Sequence, residues 1–351
     1  MKKVTLQTIA ERLGVSKALV SKALSNDPAV NDVTRETIWR TAEELGYRVK
    51  AAKKVQVRDA TRNLAVLLPE AYLGDFEYWG TLIQGIHQGT SQIGYNLMLT
   101  GIDIALTPQS GIPGVVKDKN VDAVIVLGHI PRDYIELLRA LMLPVVLVDS
   151  NEWSPVSDHV LANNFYGAWE ATTELLKDGH RHLAFVGDET SALSFSERKR
   201  GFDQAIADFQ VLTGRAIDGR SIKGMGVSGW GNYISDSFAE DIHRHMTGED
   251  PVTAMFCAND MVAIEVLRLC TAWGIACPGQ ISICGFDDLA LARHTHPGLT
   301  TVSVPRKELG QKAVELVHRR ILDPGTLLEL VQLPTRYIKR ESTAALSGSV
   351  Q

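Results

Sequence analysis

The first segments of the chain place apolar residues at helical spacing and separate them with short polar stretches. Leu6, Ile9 and Leu13 recur every three or four residues, which is the pattern of one face of an amphipathic helix. Gly14 then permits a tight turn, and Ser16 is a favourable N-cap for a second helix. Two short helices joined by such a turn form a helix-turn-helix, which this pattern predicts.

The second predicted helix has two faces of opposite character. With successive residues placed about 100° apart, the apolar positions fall within one arc: Leu19, Val20, Ala23 and Leu24. The opposite arc carries Lys17, Ala18, Ser21 and Lys22. Short polar and basic side chains on one exposed face suit a helix that lies in the major groove of DNA.

A third helix completes the predicted module. Asn31 is its expected N-cap, and Ile38, Ala42 and Leu45 form its inner stripe. Residues 1–47 are therefore predicted to form an all-α head of three helices.

Beyond the head, apolar strand-like runs alternate with amphipathic helical segments. The strand-like runs are Leu64–Pro69, Tyr95–Thr100, Val121–Leu127, Pro144–Asp149, His159–Asn163, His182–Gly187, Val252–Cys257 and Ile281–Phe286. The helical segments are Gly80–Gly94, Asp133–Leu141, Phe165–Lys177, Glu197–Phe209, Trp230–Met246 and Asp260–Trp273. This alternation predicts βαβ units and parallel sheets. So many units in about 280 residues favour two lobes, with a ligand between them at the carboxyl ends of the strands.

Charge is distributed unevenly along the 351 residues. Residues 1–62 hold 13 basic and 7 acidic side chains, a net charge of +6, whereas the remainder holds 23 and 34, a net charge of −11. A basic region that coincides with a helix-turn-helix is typical of a nucleic-acid-binding module. Segment 48–62 is itself basic and has few large apolar groups, so we expect a linker there.

Two observations bear on the compartment. No apolar run approaches the ~20 residues of a membrane span, and the polar start lacks the apolar stretch of a signal peptide, so we expect a cytoplasmic protein without membrane contact. The cysteines, Cys257, Cys270, Cys277 and Cys284, contain no C-x-x-C pair. Buried free thiols in a reducing compartment are favoured over a metal site.

The segment 224–229 fits the pattern G-x-G-x-x-G. A dinucleotide site needs a buried strand before this pattern, a helix after it and an acidic residue at the end of the next strand. The preceding run is only Ser221-Ile-Lys, and Glu249 and Asp250 precede Pro251 rather than end a strand. We therefore interpret the segment as a glycine-rich loop that brings Trp230 to the cleft, and we expect no cofactor.

The chain as a whole resembles the lactose/galactose repressor family of bacterial transcriptional regulators. The markers are Val4-Thr-Leu, Ile9-Ala, Gly14-Val-Ser16, Val20-Ser21, Thr34-Arg-Glu36, Glu44-Leu-Gly-Tyr47, Arg198-x-x-Gly201-Phe202, Cys257-Ala-Asn-Asp260, Gly285-Phe-Asp-Asp288 and Leu299-Thr-Thr301. The resemblance implies a dimeric, effector-controlled transcription factor, with a tetramer as the alternative assembly. It also implies a body of two Rossmann-like lobes, as in periplasmic sugar-binding proteins, with chain crossings near Asn163, Leu291 and Asp323.

These expectations define the domains. The predicted parts are a head (1–47), a hinge linker (48–62), a body (63–340) and a tail (341–351), with an N-lobe of about 63–163 and 291–323 and a C-lobe of about 164–290 and 324–340.

The resemblance also assigns DNA contacts. They are Thr5, Ser16, Lys17, Ala18, Ser21, Lys22, Lys53 and Gln56. Lys22 stands where the family usually has arginine. A guanine base would therefore be contacted by the point charge of an ammonium group and not by the planar guanidinium of arginine. Gln56, between Val55 and Val57, stands where the family places a leucine wedge for the minor groove, and glutamine is a poor intercalating group.

Effector contacts follow from the same resemblance. Asp149, Arg198, Asn259 and Asp287 match the family's ligand positions, and their donors and acceptors suit a polyhydroxylated ligand. Trp230 matches an aromatic that stacks on the ligand. The loop that carries Asp75, Phe76, Tyr78 and Trp79 departs from the family's common Asn-Pro-aromatic pattern, and we expect it to supply the other lobe's contacts. The alternatives are structural: Asn259 and Asp260 could cap a helix, Asp287 could cap a turn, and at least one loop aromatic is expected in the core.

The predicted function is a DNA-binding regulator, a repressor of a carbohydrate-utilisation operon that binds operator DNA and a sugar-like effector. A non-sugar effector such as a nucleobase remains open. A solute-binding protein of a transporter would share the body, but it would have no use for residues 1–62. An enzyme is disfavoured because the sequence has no recognisable nucleophile–base pair, phosphate loop or paired-carboxylate motif, and no catalytic or metal-binding residues are assigned.

Overall fold

The computed structural model describes residues 5–24, 30–45, 60–150, 157–224 and 235–346. They belong to two compact units, 1–61 and 62–351. Lys53, Gln56 and Trp230, to which contacts were assigned above, lie outside the described residues.

The first unit contains the predicted helices α1 (Leu6–Leu13), α2 (Lys17–Leu24) and α3 (Asp32–Glu44). The predicted caps are confirmed: Gly14 has a φ of 65°, Ser16 Oγ accepts from the amide of Leu19 at 3.1 Å, and Asn31 Oδ1 accepts from the amide of Thr34 at 2.9 Å. The inner stripes meet in one small core built from Ile9, Ala10, Val20, Ala23, Leu24, Val30, Ile38 and Ala42.

The second unit alternates strands and helices throughout. Its strands are β1 (Asn63–Pro69), β2 (Asn96–Ile102), β3 (Ala123–Leu127), β4 (Val145–Val148), β5 (Asp158–Ala162), β6 (His182–Val186), β7 (Asp218–Ile222), β8 (Ala254–Cys257), β9 (Ser282–Cys284), β10 (Thr301–Ser303), β11 (Leu330–Leu333) and β12 (Arg336–Ile338). Its helices are α4 (Thr81–Gln92), α5 (Pro108–Gly111), α6 (Gly114–Lys117), α7 (Arg132–Ala140), α8 (Asn164–Lys177), α9 (Leu193–Thr213), α10 (Asp236–Thr247), α11 (Asp260–Trp273) and α12 (Arg306–Leu322). No helix of the described residues is long and apolar enough to cross a membrane.

The strands form two parallel sheets, one in each lobe. The N-lobe sheet has six strands in the order β11-β5-β4-β3-β1-β2, and the C-lobe sheet has four in the order β7-β6-β8-β9. A short antiparallel pair, β10 and β12, lies beside the C-lobe sheet, where backbone bridges join Cys284 to Thr300 and Asp287 to Ser303.

The chain crosses between the lobes after Asn163, after Ser303 and after Leu333, so the predicted second and third crossings at Leu291 and Asp323 are placed too early. Residues 291–303 remain in the C-lobe because Ala292 is buried in its core and β10 bridges to it. Residues 324–333 remain in the N-lobe because β11 pairs with β5.

A buried ion pair holds the loop before β11 in place. Arg320 on α12 donates to both carboxylate oxygens of Asp158 at 3.0 Å, and the amide of Glu329 donates to Asp158 at 2.8 Å. Since a buried charge is costly unless it is paired and hydrogen-bonded, this cluster fixes the loop against the N-lobe.

The first and third crossings are joined by hydrogen bonds. The amide of Asn163 donates to the carbonyl of Leu333 at 2.8 Å, and Thr335 Oγ1 donates to the carbonyl of Asn163 at 3.3 Å. The two chain segments therefore pass between the lobes as a connected pair.

Some elements have no clear pattern in the sequence. Strand β7 exposes alternate residues and buries only Ile222, because it forms the edge of its sheet. The strand before the glycine-rich segment is thus mostly exposed and not a solid buried strand, as expected from Ser221-Ile-Lys. The next helix among the described residues is α10, from Asp236.

The predicted free cysteines are confirmed in the described residues. Cys257, Cys270 and Cys284 are buried, Cys277 is half-buried, and none is in a disulfide. Burial raises the pKa of the Cys270 thiol to about 11 and that of Cys277 to about 12, so both remain protonated at neutral pH.

Glycines permit the close crossing of helices in each lobe. A Cβ on Gly310 of α12 would lie 2.3 Å from the carbonyl oxygen of Leu82, and one on Gly85 of α4 would lie 2.0 Å from the carbonyl oxygen of Lys307. In the C-lobe, a Cβ on Gly201 would lie 2.2 Å from the carbonyl oxygen of Phe165. Backbone atoms cannot move aside as a flexible side chain can, so these contacts require glycine.

Replacing Gly310 with alanine is expected to lower the free energy of unfolding by about 1–3 kcal/mol, because the added methyl group overpacks the crossing of α4 and α12. Chemical denaturation of the full-length protein measures this. Gly114→Ala is the matched control, since no atom lies within 4 Å of its Cβ position, and its effect should stay within about 0.5 kcal/mol. Equal midpoints for the two variants would contradict the packing described.

Candidate functional site

The outer face of α2 has the properties predicted for a DNA-reading helix. Lys17, Ala18, Ser21 and Lys22 are all exposed, whereas Val20, Ala23 and Leu24 are buried in the core of the head. Thr5 and Ser16 are exposed as well, and each also caps a helix through its hydroxyl oxygen. The face therefore offers two lysines and short side chains at a helix start, which can approach base edges without a steric barrier.

The second site lies in the body, where the two lobes meet. Asp149 follows β4 of the N-lobe and Asp287 follows β9 of the C-lobe, both at the carboxyl ends of parallel strands. Their φ angles are 50° and 117°, in the left-handed region that non-glycine residues seldom adopt. Such strain costs of order 1–3 kcal/mol per residue and persists where surrounding structure imposes it, often at ligand sites.

Arg198 is the central cation of this cleft. Its side chain is 3 % exposed; Nε donates to Asn164 Oδ1 at 3.0 Å, Nη1 to the carbonyl of Ala258 at 2.7 Å and Nη2 to Asp287 Oδ1 at 3.0 Å. The ring centroid of Phe286 lies 3.8 Å from its guanidinium carbon. The side chain is therefore held in place by α8, the end of β8 and the loop after β9.

Residues of the N-lobe loop approach from the opposite side. Tyr78 is buried and donates its hydroxyl to Asp149 Oδ2 at 2.8 Å, while Asp75 accepts from the amide of Tyr78 at 3.0 Å. Trp79 is buried and stacks on Tyr72 with 5.0 Å between ring centroids, so the expectation of a core aromatic in this loop is confirmed. Phe76 is 78 % exposed.

The carboxylates of the cleft influence one another through their charges. Burial raises the pKa of Asp287 to about 6, against the opposing effect of Arg198, and Asp149 and Asp75 raise it further. Burial likewise raises the pKa of Asp149, partly opposed by the hydrogen bond from Tyr78 and by the charge of Arg198. Tyr78, Asp149, Arg198 and Asp287 thus form one electrostatic group to which both lobes contribute.

Asn259 takes the structural role that the sequence left open. Its side chain is the N-cap of α11, and Oδ1 accepts from the amide of Val262 at 2.9 Å. It lies next to Ala258, whose carbonyl binds Arg198, so the residue is near the cleft although its oxygen is engaged.

Four further residues of the site were not assigned from sequence: Asn164, Glu197, Arg306 and Asp260. Asn164 is 2 % exposed and links Arg198 to Glu197, accepting from the former and donating to Glu197 Oε2 at 3.1 Å. Arg306 donates to the carbonyl of Asp288 at 2.9 Å. No local pattern marks these positions, because their contacts are all between residues far apart in sequence.

The fourth is Asp260, which is fully buried behind the cleft. Its two oxygens accept from Thr301 Oγ1 and from the amide of Leu289, the latter at 2.8 Å. Burial, followed by the charge of Asp287, raises its pKa to about 8. The carboxyl group of Asp260 is therefore largely protonated at neutral pH. Its hydrogen bonds join α11 to the loop after β9 and to β10.

The lobes also touch at the rim of the cleft. Glu77 Oε2 of the N-lobe accepts from the amide of Ala290 in the C-lobe at 3.0 Å. Arg306 at the start of α12 binds Asp288 of the C-lobe and lies over the ring of Tyr78, 5.8 Å from its centroid.

Possible metal ligands occur together at the opposite end of the C-lobe sheet. His182, Asp218 and Asp250 place ligand atoms within 4.8 Å of one another. Arg220 donates to Asp218 at 2.7 Å and to Asp250 at 2.8 Å, so a protein cation already binds both carboxylates. We assign no metal to this cluster.

Comparison with known proteins matches both units. Residues 5–50 match the model of bacterial regulatory proteins of the lacI family, and residues 172–343 match a periplasmic binding protein-like domain. The transcriptional repressor PurR of Photobacterium profundum is 25 % identical over 347 residues, covering 98 % of this chain and 99 % of PurR. Catabolite control protein A of Priestia megaterium is 26 % identical over 342 residues, covering 97 % and 99 %.

Among solved structures, a LacI-family transcriptional regulator from Enterococcus faecium with bound ribose is 26 % identical. It covers 81 % of this chain and 100 % of its own, with a TM-score of 0.66. The predicted fold class, a helix-turn-helix head with an α/β body like that of periplasmic binding proteins, is confirmed.

The buried acid Asp260 generates a pH-dependent prediction. Because its folded-state pKa lies above the usual 3.8, the native protein keeps a proton that the unfolded chain has released. The free energy of unfolding therefore falls as the pH rises towards 8, by up to about 1.4 kcal/mol per unit for this group. In Asp260→Asn the side-chain oxygen can still accept from the amide of Leu289, and the amide nitrogen can donate to Thr301 Oγ1 once that hydroxyl turns to accept.

We expect this variant to lose less stability than the native protein between pH 6 and pH 8, measured by urea unfolding at each pH. Asp133→Asn, at an exposed position on α7, is the control and should keep the native profile. If Asp260→Asn shows the same pH profile as the native protein, Asp260 is ionised in the fold and the assignment is wrong.

Proposed function

The chain belongs to the LacI family of bacterial regulatory proteins, and we propose that it is a sequence-specific transcriptional repressor of carbohydrate-utilisation genes, controlled by a sugar-like effector in the body. The combination of a helix-turn-helix head with a polar cleft between two lobes carries this proposal. We further propose that it acts in the cytoplasm as a homodimer on operator DNA and has no catalytic activity.

The head supports the DNA-binding part. The exposed face of α2 carries Lys17 and Lys22 beside Ala18 and Ser21, so base edges can be approached between two cations. A protein of two-fold symmetry reads two-fold sites, so a roughly palindromic operator is the expected partner.

The cleft supports control by a small ligand. Asp149 from one lobe and Asp287 from the other belong to one electrostatic group, so a ligand that contacts both favours the arrangement in which the lobes lie this close. The rim contacts of Glu77 with Ala290 and of Arg306 with Asp288 belong to the same arrangement. A ligand shifts an equilibrium by its difference in affinity for the two states, which gives the effector its influence on the head.

Substituting Lys22 with alanine is expected to weaken operator binding by about 1–3 kcal/mol, because a base contact in the major groove is lost. Binding to unrelated DNA of the same length and at the same salt concentration should change little. Fluorescence anisotropy with both duplexes measures the two affinities. Equal losses on both would show that Lys22 contacts phosphate only.

Asp149→Asn keeps the shape of the cleft and removes one charge, so it should weaken effector binding by about 1.5–3 kcal/mol, the value of a hydrogen bond to a charged group. Operator affinity without effector should stay as in the native protein. Calorimetry and anisotropy measure the two quantities, with Asp133→Asn as the surface control. Unchanged effector affinity would remove Asp149 from the site.

A further inference from the structure

Three carboxylates of the cleft keep an oxygen that accepts no hydrogen bond from the described protein. Asp149 receives the hydroxyl of Tyr78 on Oδ2, Asp287 receives Arg198 on Oδ1, and Glu197 receives Asn164 on Oε2. Within the part of the chain that the structure describes, the second oxygen of each carboxylate accepts no hydrogen bond. Three acceptor oxygens thus remain for a ligand.

The cations of the cleft donate to protein oxygens, although Nε of Arg306 is buried without a hydrogen-bond partner among the described residues. Each nitrogen of the Arg198 guanidinium donates to a protein acceptor, and Phe286 covers one of its faces. Arg306 donates to the backbone carbonyls of Asp288 and Glu77, at 2.9 and 3.4 Å. Three of the five N–H groups of Arg198 are thus used by the protein, and the fork that they hold is fixed in position.

The charge of the cleft is negative. Asp75, Asp149, Glu197 and Asp287 interact electrostatically with one another or with Arg198. The cations among these partners are Arg198, Arg306 and the exposed Arg200, so the acidic groups outnumber them by one. Burial raises the pKa of Glu197, and the charge of Asp149 raises it further. The segments 151–156 and 225–234 contain no Lys, Arg or His in their sequence, so they add no positive side chain to the body.

We propose that the effector is a polyol without negative charge, a neutral sugar or an amino sugar, whose hydroxyl or ammonium groups donate to Asp149, Glu197 and Asp287. Sugar phosphates and uronic acids are excluded by the same carboxylates. This proposal rests on the proposed function and adds Glu197 to the binding site as the residue that helps to select ligands by charge.

The physical reason is complementarity. Hydroxyl and ammonium groups supply the donors that the free oxygens lack, and an ammonium also offsets the excess negative charge. An anionic sugar brings further acceptors and meets like charges in a partly desolvated site, where repulsion is stronger than in water.

The test is a set of matched sugars offered to the full-length protein. D-glucose is compared with glucosamine, glucose 6-phosphate and glucuronate. D-galactose is compared with galactosamine, galactose 6-phosphate and galacturonate, and D-ribose is compared with ribose 5-phosphate. Cellobiose, guanine and hypoxanthine complete the panel. Thermal shift identifies binders and calorimetry gives their dissociation constants at constant ionic strength.

We expect the tightest sugar to be neutral or amino-substituted and its phosphorylated or uronic acid form to bind at least about 100-fold more weakly. An anionic form that binds more tightly than its parent would overturn the proposal. So would a nucleobase that binds where no sugar does. Operator binding is measured in the same preparation. If the native protein binds the operator and Lys22→Ala binds it more weakly, the regulatory function is supported and only the proposed effector class is wrong.

Glu197→Gln tests the charge argument directly, since glutamine keeps the size and an acceptor oxygen. The affinity ratio of the anionic form to its neutral parent should rise by at least about tenfold in this variant, the change equivalent to one pKa unit of interaction. Glu136→Gln, at an exposed position on α7 that pairs with Arg132, should leave the ratio unchanged. An equal ratio in both variants would remove Glu197 from the site.

The pH dependence provides a second readout. Burial, with the charges of Asp149 and Asp75, raises the pKa of Asp287 to about 6 against the effect of Arg198 and Arg306, so its charge is present above that pH and is lost as the pH falls through it. Affinity for an amino sugar or a neutral sugar should therefore decrease between pH 7.5 and pH 5.5. An affinity that rises over this interval would overturn the proposal.

Discussion

The buried guanidinium of Arg198 is the interaction on which the body's binding site depends. A cation taken out of water is tolerated only when its donors are satisfied, and here Asn164, the carbonyl of Ala258 and Asp287 satisfy all three nitrogens. These partners come from the start of α8, the end of β8 and the loop after β9. The same charge stabilises the ionised form of Asp149 in the other lobe. One side chain thus fixes the C-lobe wall of the cleft and sets the electrostatic conditions of the N-lobe wall.

The strained backbone of Asp149 and Asp287 has a related origin. Both follow a buried strand, and both turn back with positive φ, so that their carboxylates face the cleft instead of continuing along the sheet. Backbone bonds hold these turns: the amide of Asp149 donates to Val160 at 3.1 Å and that of Asp287 to Val302 at 2.8 Å. The sheets therefore supply the rigidity that keeps two acidic groups close in a negative environment.

Much of this fold could be predicted from the sequence, for reasons visible in particular elements. The helix over Asp260–Trp273 has the predicted bounds because its cap, its apolar stripe and the glycine after it are all local signals. Strand β7 and the later crossings could not be placed, since an edge strand has little apolar pattern and a crossing depends on which sheet accepts the strand. In the cleft, Asp149 and Asp287 were assigned through the resemblance to the family and not through a local pattern. Asn164, Asp260 and Arg306 depend on contacts across the fold, which sequence patterns do not record.

The connected pair of crossings has a mechanical consequence. Since Asn163 is bonded both to Leu333 and to Thr335, neither segment can twist without the other. A reorientation of the lobes that keeps these hydrogen bonds would therefore move both segments together, next to Asn164, the partner of Arg198. Displacement in a rotation grows in proportion to distance from its axis. A shift of a fraction of an ångström beside the cleft would accordingly become a movement of several ångströms at the far ends of the lobes.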